Sequence, residues 1–141
     1  MTLFDTSVII DARDADSPWH EWAKREIAGA NDAGGAAVNT IVIAEAAVRV
    51  MDRVQFPARL ERMGLTLLPL PITAAAPAAK AYAKYLERLK AEGKPSPSKV
   101  PLGDFLIGAH AAAEGMTLVT RDPDRVRTYF PTVKLVVPKE G

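Results

Sequence analysis

Short apolar segments alternate along this chain with longer segments whose apolar side chains recur at helical spacing. Five segments are short and apolar enough to form buried strands: Leu3-Phe4, Ala36-Ala37-Val38, "LTLLPL", "MTLVT" and "VKLVV". Helices are predicted between them, over about 18–30, 41–51, 57–63, 73–92, 103–115 and 123–129. Strands that alternate with helices predict an α/β domain with a mainly parallel sheet.

The predicted helix starts carry side chains that can accept hydrogen bonds from free backbone N–H groups. Ser17 and Asp122 each precede a proline, which favours the first helical position, and Thr40 precedes an apolar segment. We therefore expect these three residues to act as N-caps. The expected core stripe of the long helix is Ala75, Ala79, Tyr82, Leu86 and Leu89. Segment 94–101, "KPSPSKVP", is predicted to be a loop within the domain.

Composition limits the class of protein. The 141 residues are 48% hydrophobic and 25% charged, which predicts one globular domain, 1–141, with a substantial core. No apolar segment approaches the roughly 20 residues that cross a bilayer, so we expect a cytoplasmic protein. The absence of cysteine excludes disulfides, thiol nucleophiles and cysteine-bound zinc, and two isolated histidines cannot form a zinc site unaided. Any metal is therefore expected to bind oxygen ligands.

Four carboxylates lie inside or against apolar segments, far apart in sequence: Asp5, Glu45, Asp104 and Asp122. Asp5 and Asp122 each follow a predicted strand, and Asp104 begins a predicted helix. Capping or the helix dipole is a sufficient explanation of each aspartate taken alone. Taken together, the four side chains are expected to converge, because the carboxyl ends of parallel strands share one edge of the sheet, where ligands bind.

Glu45 is the most informative of the four. Apolar residues surround it in "IVIAEAAV", so we expect its helix to be largely buried and its carboxylate to need a partner. An ion pair with Arg49, one helical turn further on, is the plain structural alternative. Such a pair contributes only about 0.3–0.5 kcal/mol when it is exposed, which favours a functional role for Glu45.

Convergence of these carboxylates requires a compensating positive charge. Two like charges about 4 Å apart repel by about 4 kcal/mol at an effective dielectric constant of roughly 20. Mg²⁺ is suited to this role, since it binds a few carboxylates, keeps several waters and accepts a substrate phosphate. One or two such ions allow hydrolysis of a phosphodiester bond without a cysteine, serine or histidine nucleophile.

Four motifs follow one another along the chain: "FDTSVIID", Glu45 within a helix, "PLGDFLIGAHA" around Asp104, and "LVTRDPDRVRTYFPTVKLVVP". In this order they resemble the PIN-domain family, and specifically the VapC-type toxin ribonucleases of bacterial toxin–antitoxin pairs. The resemblance covers essentially the whole chain. It implies a three-layer α/β/α sandwich with a mainly parallel sheet, frequent homodimerisation and a cognate antitoxin that blocks the site.

The resemblance also implies an activity and roles for individual residues. The activity is metal-dependent endoribonuclease cleavage, as the toxin component of a type II toxin–antitoxin system. The residues that match the family's Mg²⁺ or Mn²⁺ ligands are Asp5, Glu45, Asp104 and Asp122. Thr120 matches a hydroxyl that orients a carboxylate or a water, and Thr6 and Ser7 match small hydroxyl residues after the first aspartate.

Basic side chains between residues 80 and 99 have two explanations. The net charge is only +1, but six lysines or arginines and two glutamates occupy this segment. Lys84, Arg88, Lys94 and Lys99 are candidates to guide RNA toward the acidic site, because phosphate attraction must overcome the field of the carboxylates. A merely solvated helix face explains them equally well.

Two other functions fit parts of the pattern. A phosphatase of the haloacid dehalogenase type also has a strand-end aspartate and Mg²⁺, but Ser7 stands where its second aspartate would be. A PIN fold that binds other molecules without catalysis is the other alternative. Asp124 is a candidate to assist or replace Asp122. His110, about 240° around the helix from Asp104, is expected to be structural rather than a catalytic base.

Overall fold

Five parallel strands form one sheet in a computed structural model that describes residues 1–97 and 101–139. The strands are β1 (Thr2–Phe4), β2 (Ala36–Asn39), β3 (Leu65–Leu68), β4 (Thr117–Val119) and β5 (Leu135–Val136). Their order across the sheet is β3-β2-β1-β4-β5. Each strand overlaps a predicted one, and the prediction of a parallel sheet is confirmed.

Helices fill the connections between the strands. They are α1 (Thr6–Arg13), α2 (His20–Asp32), α3 (Thr40–Ala47), α4 (Phe56–Arg62), α5 (Ala75–Ala91), α6 (Leu102–Glu114) and α7 (Asp124–Tyr129), with a 3₁₀ turn over Ile72–Ala74. Parallel crossovers are right-handed, so the reversal of direction after β3 places α1 to α4 on one face of the sheet and α5 to α7 on the other. This is the predicted α/β/α sandwich. Within residues 1–97 and 101–139, no helix is long and apolar enough to cross a membrane.

The core lies between the sheet and both helical layers. Its largest fully buried side chains include Phe4, Phe56, Phe105, Leu3 and Ile9. On the α5–α7 face, Phe105 also belongs to an aromatic cluster with Tyr82, Tyr85 and Tyr129, whose neighbouring ring centroids are 5.4–6.1 Å apart. Because its members come from three helices, this aromatic cluster joins α5, α6 and α7 beside the carboxyl edge of the sheet.

The predicted N-caps of α3 and α7 are wrong. Asn39 caps α3, because its Oδ1 accepts from the Val42 N–H at 3.0 Å, whereas the Thr40 hydroxyl accepts from Leu70 N–H at 3.3 Å. Asp122 does not cap α7, which begins only at Asp124. Neighbouring polar residues have similar capping preferences, so the contacts that each side chain makes elsewhere in the fold decide which of them caps the helix.

The start of α2 and the buried face of α5 also differ from prediction. α2 begins at His20, and the Ser17 hydroxyl instead accepts from the N–H of Trp19 at 3.1 Å. In α5, Ala75 and Ala79 are exposed. Tyr82, Leu86 and Leu89 of the predicted stripe are half-buried. The residues of this segment that pack against the core are Ala74, Ala78, Ala81, Tyr82 and Tyr85. Because alanine occupies so many positions of this segment, several stripes are equally apolar, and the aromatic side chains determine which one is buried.

Candidate active site

Asp5 lies where the order of the strands reverses. β1 pairs with β2 on one side and β4 on the other, and the register pair Phe4↔Val119 places Asp5 beside Thr120. The Asp5 N–H donates to the Val119 carbonyl at 3.0 Å. Ligand sites of open parallel sheets lie beyond the carboxyl ends of the strands at such a reversal. The topology therefore marks this edge of the sheet as the candidate site.

Both carboxylate oxygens of Asp5 accept hydrogen bonds. Oδ1 accepts from the Thr6 N–H at 2.8 Å and caps α1. Oδ2 accepts from the Thr120 hydroxyl at 2.7 Å. Asp5 therefore caps α1, as the structural explanation predicts, while its second oxygen is held by the first residue after β4.

Burial raises the pKa of Asp5 above its ordinary value of 3.8. The hydrogen bonds from Thr120 and Thr6 oppose this increase, and the negative charges of Asp104 and Glu45 add to it. The Asp104 and Glu45 carboxylates are therefore close enough to repel that of Asp5. A bound cation would relieve this repulsion.

Glu45 reaches the site from α3, and its side chain is exposed, so the expectation of a buried carboxylate is wrong. The reason is that α3 ends at Ala47 and fully buries only Val42 and Ala46. The Thr6 hydroxyl donates to Glu45 Oε1 at 2.6 Å. In the described part of the chain, Arg49 forms no ion pair with Glu45.

Asp104 enters the site from the first turn of α6 and does not cap that helix. Its Oδ2 lies 2.6 Å from Nη1 of Arg125 on α7. The preceding residue, Gly103, lies so close to α3 that an added Cβ would stand 2.7 Å from Glu45 Oε2. The missing side chain at position 103 thus lets Asp104 and Glu45 approach the same edge of the sheet.

Asp122 is connected to Asp5 through Thr120. The Asp122 N–H donates to the Thr120 hydroxyl oxygen at 3.0 Å, and the same hydroxyl donates to Asp5. Asp122 and Asp124 are both exposed and both line the cleft described next. The structure places each predicted acidic residue at this edge, although it gives Asp122 no direct contact with another carboxylate.

A cleft of about 750 Å³ opens beside these residues. Its charged lining comprises Asp5, Asp104, Asp122, Asp124 and Glu92 together with Arg88, Lys94, Arg121 and Arg125. Arg88 and Lys94 belong to the predicted basic set, and each lies 3.1 Å from a Glu92 carboxylate oxygen. Lys84 is exposed and does not line the cleft, and Lys99 lies outside the described residues.

Two polar contacts of buried residues beside the site were not predicted from the sequence. Arg121 Nε lies 2.6 Å from Oδ2 of buried Asp11, which ties the segment after β4 to α1. Nδ2 of Asn39 lies 3.0 Å from Nδ1 of buried His110, which ties the start of α3 to α6. His110 contacts Asn39 and does not line the cleft, which is consistent with the predicted structural role, and burial lowers its pKa. The aspartate within "VIIDA" was the available signal for the first contact.

The carboxylate oxygens at this edge of the sheet suit a hard divalent cation, although the side chains do not surround a common point. Within the described residues, no three acidic or histidine side chains converge as ready metal ligands. Carboxylate oxygens are the ligands that Mg²⁺ and Mn²⁺ prefer. Burial is the main cause of the raised pKa of Asp5, the negative charges of Asp104 and Glu45 add to it, and Arg125 pairs with Asp104. A cation therefore fits the charge of this site.

Comparisons with known proteins agree with this fold. Residues 2–131 match the family described as PIN domain. Similar folds occur in a toxin-antitoxin complex from Klebsiella pneumoniae (20% identity over 99% of both chains, TM-score 0.68) and in VapBC2 from Rickettsia felis bound to a promoter DNA fragment (18% identity over 98% of both chains, TM-score 0.64). FitAcB from Neisseria gonorrhoeae is also similar (20% identity over 96% of both chains, TM-score 0.61).

A search of curated proteins gives no match. The structural likenesses, at these identities, show a shared fold. The family match covers nearly the whole sequence, and the parallel sheet carries its acidic residues at the strand-order reversal. The chain therefore belongs to the PIN-domain family.

Proposed function

We propose that this chain is a Mg²⁺- or Mn²⁺-dependent endoribonuclease and the toxin of a type II toxin–antitoxin pair. One observation carries the proposal: at the strand-order reversal, Asp5, Asp104 and Asp122 line one cleft, and the Thr6 hydroxyl holds Glu45 at the same edge, so that like charges lie close together. Such a cluster of repelling carboxylates is suited to a divalent cation and to phosphodiester hydrolysis.

The proposed metal ligands are Asp5, Glu45, Asp104 and Asp122. A bound cation would supply an activated water and charge stabilisation on the phosphate oxygens. The chain itself orients the ligands: the Thr120 hydroxyl holds Asp5, and the Thr6 hydroxyl holds Glu45. Hydrogen bonds to ligating carboxylates of this kind fix their direction.

Arg88 and Lys94 support RNA as the substrate, because they place positive charge in the same cleft as the carboxylates. RNA binding depends on phosphate contacts with lysine and arginine. In this structure both side chains also pair with Glu92, which lines the same cleft.

The proposal includes an antitoxin and a second copy of the chain as protein partners. Similar folds occur in structures described as a toxin-antitoxin complex and as VapBC2. In this chain Val48, Met51 and Val54 are 69%, 103% and 86% exposed at and after the end of α3. An exposed apolar segment of this kind is typical of a protein interface. Light scattering of the chain alone, with Met51→Asp as the variant, tests the homodimer.

A binding module without catalysis is the second candidate. The observation that favours it is the absence of a closed group of metal ligands within residues 1–97 and 101–139. Mapping of new RNA 5′ ends after brief expression separates the two functions. The nuclease produces new ends with the wild type and not with Asp5→Asn, whereas a binding module produces none with either.

A further inference from the structure

Arg125 forms an ion pair with Asp104 inside the cleft. The distance between Nη1 and Oδ2 is 2.6 Å, and the two side chains are 34% and 52% exposed. An ion pair with this exposure is reached by water and by small ions, and such pairs contribute little to stability. The Asp104 carboxylate is therefore available to a competing cation.

The Arg125 guanidinium has a second means of support. Its central carbon lies 5.5 Å from the ring centroids of both Tyr85 and Phe105. These rings are packed on each other and on Tyr129 within the aromatic cluster. The negative faces of aromatic rings attract a guanidinium, and its planar shape packs on them. Arg125 thus stays in the cleft even when Asp104 changes partner.

A divalent cation and Arg125 compete for the Asp104 carboxylate. A cation bound beside Asp5 would also be attracted by Asp104, which lines the same cleft. Arg125 holds that same carboxylate at 2.6 Å. When the cation takes Asp104, the guanidinium loses its carboxylate partner, and its donors face a cleft that Arg88 and Lys94 also line.

We propose that Arg125 exchanges partners: it holds Asp104 before the divalent cation binds and contacts an RNA phosphate once the cation has taken that carboxylate. The inference rests on the proposed function, since it requires the cation and RNA. The same planar set of N–H donors binds carboxylate and phosphate, so the exchange needs no new donor group. Arg125 is then an RNA-binding residue as well as a positioning residue for Asp104.

Mn²⁺ binding in the absence of RNA tests the first half of the exchange. Electron paramagnetic resonance of free Mn²⁺ gives the affinity of the full chain without any activity measurement. Arg125→Gln is expected to bind Mn²⁺ roughly two- to fivefold more tightly than wild type, the range that corresponds to a partly exposed ion pair. Arg127→Gln is the control, because Arg127 is exposed on the same helix and does not line the cleft.

RNA binding tests the second half. Affinity for a labelled RNA of mixed sequence is measured by anisotropy over a series of salt concentrations in Ca²⁺, with intact RNA verified on a gel. Arg125→Gln is expected to weaken binding and to reduce the slope of log affinity against log salt by roughly 0.7, the value for one phosphate contact on a single strand. Arg127→Gln is expected to leave the slope unchanged.

Both results together support the exchange. The exchange is contradicted if the wild type binds Mn²⁺ and cleaves RNA but Arg125→Gln shows an unchanged Mn²⁺ affinity or an unchanged salt slope. If Arg125→Gln does not fold, Arg125→Met, which can still pack on Tyr85 and Phe105 but carries no charge and no donor, is expected to show the same changes. A wild type that binds no Mn²⁺ contradicts the proposed function, and the inference with it, so the two failures are distinct.

Discussion

The Thr120 hydroxyl donates a 2.7 Å hydrogen bond to Oδ2 of Asp5 across 115 positions of sequence. The two residues are the first after β4 and β1, which pair in register. The same hydroxyl accepts from the Asp122 N–H. One buried side chain thus connects both sides of the strand-order reversal and both strand-end aspartates.

Removal of the Thr120 hydroxyl is expected to destabilise the fold and to raise the pKa of Asp5. Thr120→Val leaves Asp5 Oδ2 and the Asp122 N–H without their partner, which costs about 1–3 kcal/mol in unfolding free energy. Because the Thr120 hydrogen bond lowers the pKa of Asp5, its loss should raise that pKa further. Urea denaturation measures the stability. Thr120→Ser keeps the hydroxyl and is the control, and equal losses in the two variants would contradict the assigned role.

Asp5→Asn is expected to leave the metal-free protein equally stable or more stable at neutral pH. Burial raises the pKa of Asp5, so its contribution to stability is full below the unfolded pKa and is lost as pH rises through the folded value. At neutral pH the ionised carboxylate is therefore a cost that asparagine removes while it still caps α1. Asp5→Ala, which loses the cap, should cost about 0.5–2 kcal/mol. Melting temperatures in EDTA, from acidic to neutral pH, measure the stability of the wild type and both variants. An Asn variant as unstable as the Ala variant would refute the prediction.

Thr6 is expected to affect the site more than the fold. Its hydroxyl donates to Glu45 Oε1 at 2.6 Å in an exposed setting, so Thr6→Val should change stability by less than about 1 kcal/mol. Loss of a hydrogen bond to a metal-ligating carboxylate typically costs about 10–100-fold in metal affinity or activity. Mn²⁺ affinity and the rate of RNA cleavage provide the measurement. Thr6→Ser should behave as wild type, and a Val variant with full Mn²⁺ affinity would remove Thr6 from the site.

The sequence predicts the strands and helices of this chain better than it predicts contacts between residues that are far apart in sequence. Strands that are buried on both faces are nearly continuous apolar segments, so the five-stranded parallel sheet was predictable. The edge that carries Asp5 and Asp122 followed from the strand ends, and Asp104 was predicted at the start of a helix. The position of Glu45 did not follow, because the apolar residues around it in α3 indicate a buried helix, while Val48 is exposed at its end. Apolar character alone does not distinguish a buried helix from a helix with an exposed apolar end.

Polar partners that are distant in sequence were the least predictable part. Arg125 pairs with Asp104, and Asn39 contacts His110, 71 positions away. Long or flexible polar side chains can reach many partners, and only the packing of the helices selects one. The roles of the acidic residues as metal ligands remain a prediction.

The Asn39–His110 contact predicts acid sensitivity. Oδ1 of Asn39 accepts from the Val42 N–H, so its Nδ2 donates to Nδ1 of His110, which must be neutral. Burial lowers the pKa of His110 below the ordinary 6.5, so its contribution to stability is full above that value and is lost as pH falls below it. Loss should not exceed about 1.4 kcal/mol per pH unit. Denaturation at successive pH values should show a smaller loss in His110→Gln than in wild type, with His20→Gln as the control. Identical pH dependence in all three proteins would contradict the prediction.

Cleavage of RNA by the purified full chain tests the central claim most directly. Labelled RNA is incubated with Mg²⁺ or Mn²⁺, with EDTA, and with EDTA followed by excess Mn²⁺. The variants are Asp5→Asn and Asp104→Asn, and Asp32→Asn, exposed at the end of α2, is the matched control. We predict cleavage by wild type and Asp32→Asn that EDTA abolishes and Mn²⁺ restores, and no cleavage by the other two variants. Cleavage that survives chelation, or wild-type cleavage by Asp5→Asn, would contradict a metal-dependent nuclease built on these carboxylates.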